Sequence, residues 1–331
     1  MKVAVLGAGA IGAYVGAALH RGGTEVHLIA RRAHFAAMRE HGVRVLSPRG
    51  DFTAYPHVTD DPVEVGEVDY VFLGLKANSY ASCGPLLAPL LGPGTAIVAA
   101  QNGIPWWYFH GLHGHPLEGR RVETVDPGGS VTAALELRRA IGCVVYCSTV
   151  IEEPGVVRHL EGTRFSLGEP DGAISARAEV FSAALIAGGL KAPVEPDLRN
   201  DIWIKLMGNV AFNPLSALTR ATMAQMCEHD DTRALVATMM TETLAIARAA
   251  GCDPGVSVEK RIDGAWRVGH HKTSMLQDLE AGKPLEIDAI IGAVVELAGL
   301  TGVPAPALRH VHAAISLLDH TSSTPVPVGS P

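Results

Sequence analysis

Lys205, Asn209 and Asn213 stand four residues apart in the run Trp203-Ile-Lys-Leu-Met-Gly-Asn-Val-Ala-Phe-Asn-Pro214. At α-helical pitch each step of four advances only about 40° around the axis, so a lysine and two amides share one polar stripe on an otherwise apolar helix. Groups of this kind cost about 2 kcal/mol or more to bury unless they are paired or face a cleft. A solvated face would be richer in Glu, Lys and Arg. The stripe therefore reads as facing a cleft, where an ammonium and two amides offer a cation and hydrogen-bonding groups to a polar ligand. Pro214 removes the N–H that would bond to Val210 and is expected to bend the helix beside the stripe.

A second chemical signature lies at the start, Met1-Lys-Val-Ala-Val-Leu-Gly7-Ala-Gly9-Ala-Ile-Gly12. The apolar run Val3 to Leu6 stops at three glycines spaced G-x-G-x-x-G, and small and apolar residues continue at helical spacing through Leu19. Strand, tight turn and helix in that order bind a dinucleotide. Gly7 permits the turn, Gly9 lets a pyrophosphate approach the backbone, and Gly12 lets the helix pack on the strand. The N–H groups at Ala10, Ile11 and Gly12 would face the phosphates. This spacing also argues against reading the segment as a secretory signal.

The next strand, Glu25 to Ala30, ends where such folds inspect the adenosine ribose. An NAD-binding chain places Asp or Glu there, whereas this one reads Ala30-Arg31-Arg32. A guanidinium forks onto a 2′-phosphate, so Arg31 points to NADP(H); two arginines opening a solvated helix is the plainer alternative. Two further strands, Val68 to Leu75 and Thr95 to Ala100, end at Lys76-Ala-Asn78 and Gln101-Asn102-Gly103. At the carboxyl edge of a parallel sheet Lys76 and Asn102 become candidates to touch cofactor or substrate, or else ordinary loop residues. Farther on, Ser274 and Gln277 have capping-box spacing, and Glu286 opens a helix where the dipole favours a carboxylate without any further role.

The elements that must position these residues divide in two. Alternating strands and helices through residue 195 predict an α/β, Rossmann-type domain with a mainly parallel sheet. Short strands at Val43 to Ser47, Phe52 to Val58, Ile141 to Ile151, Gly155 to Leu160 and Arg164 to Leu167, and a helix at Ile174 to Ala187, belong to it. Residues 196–321 read as an all-α domain for substrate or dimerisation, with helices at 201–218, 233–250, 256–268, 274–281, 286–300 and 305–318. The last ten residues, Ser322 to Pro331, lack an apolar period and are expected to be disordered. Ile104 to Leu137 carries Trp106-Trp107-Tyr108 and then His110, His113 and His115 among glycines and prolines. It reads as a partly exposed loop whose aromatics form a lid or a subunit contact. No carboxylate or cysteine of ligand spacing accompanies the histidines, so no metal is expected.

With 331 residues, 47% of them hydrophobic and 18% charged, the chain can bury two cores. A net charge of −7 and no long basic run exclude a nucleic-acid surface. No apolar run reaches the roughly 18 residues that would span a bilayer. Five cysteines, odd in number and without a C-x-x-C pair, predict small core residues in a reduced cytoplasmic compartment. Cys143 and Cys147 would lie about 13 Å apart along one strand face, too far for a disulfide. Ala- and Leu-rich helices after Arg233 would permit a homodimer and are equally consistent with an internal core.

Taken in order, Gly7-x-Gly9-x-x-Gly12, Lys76-Ala, Gln101-Asn102-Gly103, Lys205-x-x-x-Asn209-x-x-x-Asn213-Pro214, Ser274-Met-Leu-Gln-Asp278 and Glu286-Ile-Asp288 resemble the ketopantoate reductases (2-dehydropantoate 2-reductases) over nearly the whole chain. The resemblance implies NADPH bound by the Rossmann domain and reduction of a branched 2-oxo acid to a 2-hydroxy acid on the pantothenate route. It implies that Lys205 is the catalytic lysine and Glu286 the acidic group near substrate and cofactor. Asn102, Asn209, Asn213 and Ser274 would be substrate contacts, and Arg31 and Lys76 cofactor contacts, with Asn102 also near the cofactor. Two departures stand out. Many members carry a further asparagine in a Pro-Asn-Gly loop where this chain reads Leu218-Thr-Arg220-Ala-Thr-Met223, and the Trp106 to Leu137 segment looks long. Both leave room for a different 2-oxo acid. A non-catalytic NADPH sensor is the reading from another class, and a retained proton donor speaks against it.

Overall fold

A computed structural model describes residues 1–323. The chain forms two compact units, Met1–Arg121 with Asp126–Leu198, and Val122–Val125 with the chain from Arg199 onward.

The first unit is built on a nine-stranded sheet. Val3, Ala4 and Val5 of β1 (Lys2–Leu6) are fully buried, as expected of a strand covered on both faces. β1 pairs in parallel with β2 (Glu25–Ile29) on one side and β6 (Val68–Leu73) on the other, so the strand order reverses at β1. β7 (Leu91–Ala99) continues in parallel beyond β6, followed by β8 (Ala140–Glu153). β9 (Val156–Gly168) returns antiparallel to β8, then β3 (Val43–Leu46) and β4 (Phe52–Ala54) close that edge. β5 (His57–Thr59) closes the other edge beside β2. The sheet is thus mostly parallel, and β1, β2, β6 and β7 all deliver their carboxyl ends to one edge, where ligands bind in open α/β sheets.

α1 (Ala10–Arg21) and α5 (Ala176–Ala187) lie against each other, with α1 also on the sheet. Gly12 is required there, because a Cβ at Gly12 would stand 2.2 Å from the Gly7 carbonyl oxygen. The same unit holds α2 (Arg32–His41) and the short α3 (Gly84–Leu87) and α4 (Ser130–Leu135).

In the second unit α6 (Leu198–Thr219) carries the lysine and amide stripe and continues through Pro214. α7 (Met223–Glu228), α8 (Asp230–Ala249), α9 (Val258–Val268), α10 (Ser274–Glu280), α11 (Ala293–Thr301) and α12 (Pro306–Ser323) complete it. Val122–Val125 joins this unit through Glu296, whose carboxylate accepts from the N–H groups of Glu123 and Thr124 at 2.8 and 2.7 Å.

Several expectations are corrected. Phe52 to Val58 is not one strand. Pro56 interrupts it, and its halves, β4 and β5, end at opposite edges of the sheet. Two predicted strands, Gly155 to Leu160 and Arg164 to Leu167, merge into β9, whose register shifts absorb the intervening residues. The aromatics after Ile104 form neither a lid nor a subunit contact. Trp106, Trp107, Tyr108 and Phe109 are all at most 4% exposed. Trp107 lies on β8 where Gly142 has no side chain; a Cβ there would meet its ring at 2.4 Å. The helix expected to open at Glu286 begins with a π-helical turn, Asp288–Gly292, and α7 was not foreseen. Of the predicted disordered tail, Ser322 and Ser323 close α12, and residues 324–331 lie outside the described residues. No helix among the described residues is long and apolar enough to cross a membrane.

Candidate active site

The glycine turn after β1 and the turn after β2 line one cavity of about 480 Å³ in the first unit, with Gly7, Gly9, Ala30, Arg31, His34, Cys83 and Ile151 on its wall. Gly7 takes φ +92°, a conformation costly for any side chain. Gly9 is the residue before α1, with no side-chain cap and no acidic residue in the first helical turn. The N–H groups at Ala10, Ile11 and Gly12 therefore have no capping side chain in front of them, and a Cβ at Gly9 would meet nothing within 4 Å. This is a cradle open to an anion.

Arg31 is exposed and extended (φ −137°, ψ 159°), which brings it to the cavity wall. Arg32 follows with φ +56°, a left-handed conformation that costs an ordinary residue about 1–2 kcal/mol. No carboxylate lines this cavity. His34 was not anticipated. Its Nδ1 accepts the Gly155 N–H at 3.0 Å, and burial pushes the imidazole below its usual pKa, so the neutral ring carries its proton on Nε2. Burial also pushes the Cys83 thiol up to about 11.

Lys76 and Asn102 lie at the carboxyl edge of the sheet, as the strand ends predicted, both half-buried and neither on the wall of this cavity. Lys76 precedes the 3₁₀ turn Ala77–Ser79. Asn102 stands in the loop after β7, which Gln101 braces by donating to the Ile104 carbonyl at 3.0 Å.

In the second unit Asn209, Asn213 and Ser274, from two distant segments, line a single cavity of about 350 Å³. Phe212 and Met223 give it apolar wall, and Arg261 gives it positive charge, with Lys272 beside it paired to Glu280. Asn213 is 4% exposed and its Nδ2 has no hydrogen-bond partner among the described residues, an orphan donor of the kind that ligands satisfy. The capping box expected at Ser274 does not form. Thr273 caps α10 instead, its Oγ1 accepting the Leu276 N–H at 3.3 Å, and Gln277 donates to the Lys272 carbonyl. Ser274 thereby keeps an exposed hydroxyl with no capping duty.

Lys205 is half-buried on α6 one turn before Asn209, and Glu286 is half-buried just before the π-helical turn; neither is on the wall of this cavity. Arg261 is the group on this wall that the sequence reading missed. The signal was present: Arg261, Gly264, Ala265 and Val268 follow helical spacing and all line the cavity. Among the described residues no group of three His, Cys, Asp or Glu side chains could hold a metal ion.

Residues 3–106 match the family model described as ketopantoate reductase PanE/ApbA, and residues 197–319 match its C-terminal counterpart. A 2-dehydropantoate 2-reductase of Mesorhizobium japonicum is 46% identical over 319 residues, covering 96% of this chain and 98% of the relative. One from Halobacterium salinarum is 30% identical over 312 residues, covering 93% and 96%. Among solved structures, a putative ketopantoate reductase from Ralstonia solanacearum superposes with a TM-score of 0.91 at 36% identity, covering 97% of this chain and 98% of that one.

Proposed function

The chain belongs to the ketopantoate reductase family of oxidoreductases, and from that premise we propose that it reduces 2-dehydropantoate to pantoate with NADPH. The observation that carries the reading is the convergence of Asn209, Asn213 and Ser274 on one cavity whose buried Asn213 Nδ2 has no partner among the described residues.

The first unit supports the choice of nucleotide. A pyrophosphate fits the uncapped start of α1, with Gly7, Gly9 and the Ala10, Ile11 and Gly12 N–H groups around it. Arg31, on a wall without carboxylates, suits a 2′-phosphate rather than a bare ribose hydroxyl. Lys76 and Asn102, at the same sheet edge, are proposed as further cofactor contacts, Asn102 serving substrate as well. Bound NADPH supplies the hydride that reaches the ketone carbon.

Lys205 carries the remaining chemistry. Its ammonium stabilises the negative charge developing on the ketone oxygen and then donates the proton that completes the alcohol. The amides of Asn209 and Asn213 and the Ser274 hydroxyl hold the polar groups of the substrate, which fixes the ketone relative to the lysine. Glu286 is assigned as the acidic group beside substrate and cofactor.

Steady-state NADPH oxidation with 2-dehydropantoate, 2-oxoisovalerate and pyruvate tests the proposal. A kcat/KM for 2-dehydropantoate above about 10⁴ M⁻¹s⁻¹, the lower edge of ordinary enzymes, is expected. Lys205→Ala is expected to lower kcat at least about 100-fold while NADPH still binds. Near wild-type turnover in that variant removes Lys205 from the mechanism. A second reading, reduction of another 2-oxo acid, is favoured by Met223 on the cavity wall, because it belongs to the segment that departs from the family pattern. A tenfold preference for either other substrate would establish it.

A further inference from the structure

We propose that Arg261 is the group that reads the substrate's carboxylate; this deepens the 2-oxo acid reductase reading and rests on it. Arg261 is half-buried on α9 and lines the cavity shared by Asn209, Asn213 and Ser274. The spacing of its neighbours makes room for it. Gly264 and Ala265 occupy the same face of α9, and across from it α6 presents Gly208, where a Cβ would come within 2.7 Å of the Arg261 Nη2. The guanidinium therefore lies directly against the α6 backbone at a position that only glycine leaves open.

The charge of the wall selects an anion. Arg261, Lys272 and His271 line the cavity and no Asp or Glu does. Lys272 is engaged with Glu280 at 2.8 and 2.9 Å, so its charge is largely offset. A guanidinium fork only donates, which matches a carboxylate, a group that only accepts. Position matches as well. Gly208 lies three residues beyond Lys205, about 4.5 Å along the helix axis, and in a 2-oxo acid the carboxylate is bonded directly to the ketone carbon. The guanidinium thus lies against α6 within one helical turn of Lys205.

The test compares 2-dehydropantoate with its neutral carboxamide in wild type, Arg261→Ala, Arg261→Lys and Gly208→Ala. Arg261→Ala is expected to raise KM for the acid about 10- to 100-fold, the scale of a lost charge-assisted hydrogen bond, with a smaller effect on kcat. The carboxamide should change by less than about threefold, so that acid-over-amide preference collapses. Arg261→Lys should restore part of it, keeping charge and losing the fork. Gly208→Ala provides an independent arm. It improves helix propensity while its methyl displaces the guanidinium, so the same acid-specific loss is expected in a folded protein. Equal losses for acid and amide, or no loss, would overturn the assignment. Calorimetric binding of the acid separates this from the parent reading. Arg261-dependent binding without turnover sinks the reductase reading alone, turnover indifferent to Arg261 sinks this assignment alone, and absence of both sinks both.

Discussion

Replacing Gly12 by alanine tests whether the nucleotide cradle is held by steric necessity. The added methyl would stand 2.2 Å from the Gly7 carbonyl oxygen, whereas ordinary contact begins near 3.4 Å, an overlap of 1.2 Å. Gly7 cannot retreat easily. A Cβ built at Gly74, after β6, would lie 2.4 Å from that same oxygen, so the carbonyl is enclosed from both sides, and the Gly7 N–H is tied to Ile29 at 3.3 Å. Overpacking of this kind costs up to about 3 kcal/mol, against which alanine's better helix propensity returns about 1. The expected net loss is ~2 kcal/mol, which for a unit of roughly 200 residues lowers Tm by about 4–8 °C. Because the start of α1 must shift to relieve the overlap, the Kd for NADPH should also rise, by about tenfold or more. Gly9→Ala is the matched control. Nothing lies within 4 Å of its Cβ position, so Tm should fall by no more than about 2–3 °C, from the weaker helix start, while the methyl still obstructs the phosphates. Thermal unfolding without nucleotide and fluorescence titration with NADPH measure the two quantities separately. Wild-type Tm in Gly12→Ala would refute the steric argument, and wild-type NADPH affinity in Gly9→Ala would refute the placement of the pyrophosphate.

Arg31→Ala is expected to shift the ratio of kcat/KM for NADPH over NADH toward NADH by about 10- to 100-fold, and an unchanged ratio would remove the 2′-phosphate from Arg31. Trp107→Ala should cost about 3–5 kcal/mol in urea unfolding, because it empties a fully enclosed site on β8; a loss confined to kcat would instead restore the lid. Cys83 makes stability fall on the alkaline side. The folded thiol, with its pKa raised to about 11, keeps a proton that the unfolded chain gives up near its ordinary value of 9.0. Stability from this source is intact below about pH 9 and declines toward pH 11, by ~2–3 kcal/mol in all. Cys83→Ala should flatten that decline when urea unfolding is followed across the interval.

What could be read from the sequence was what local geometry compels. Gly7 and Gly12 are dictated by a positive φ and a contact with a carbonyl oxygen, and the spacing of Lys205, Asn209 and Asn213 needs only the pitch of α6. What escaped depends on partners far away in sequence. The aromatic run after Ile104 sits among glycines, prolines and histidines and so has the composition of a surface loop. Its burial rests on Gly142, 35 residues beyond Trp107, which leaves the slot the indole fills. Phe52 to Val58 reads as one strand because nothing local says that its halves will pair with β3 at one edge and β2 at the other. Thr273 and Ser274 are both cap-forming types, and the choice between them fixes whether the Ser274 hydroxyl is spent on the helix or kept for the cavity.

The departure at Leu218 to Met223 gains a physical account from the same cavity. Arg220 turns the chain at φ +62°, Ser216 donates to the Ala221 carbonyl at 2.7 Å, and Thr222 with Gln225 forms a reciprocal capping box that starts α7. These bonds hold the turn in place and set Met223, the first residue of α7, on the cavity wall opposite no motif the sequence advertises. Where the resemblance leads one to expect an amide-bearing loop, this chain places a flexible thioether that adapts to apolar shapes. With the acid end at Arg261, as proposed, the apolar part of a substrate is left to Met223, Phe212 and Val268 on the same wall. An extra methylene in such a wall is worth only about 1–3 kcal/mol of discrimination, but a hydroxyl left without a partner there costs as much or more. 2-Dehydropantoate differs from 2-oxoisovalerate by a hydroxymethyl group, whose hydroxyl must therefore find Asn209 or Ser274, and a wild-type preference for 2-dehydropantoate that vanishes in Asn209→Ala or Ser274→Ala would locate it.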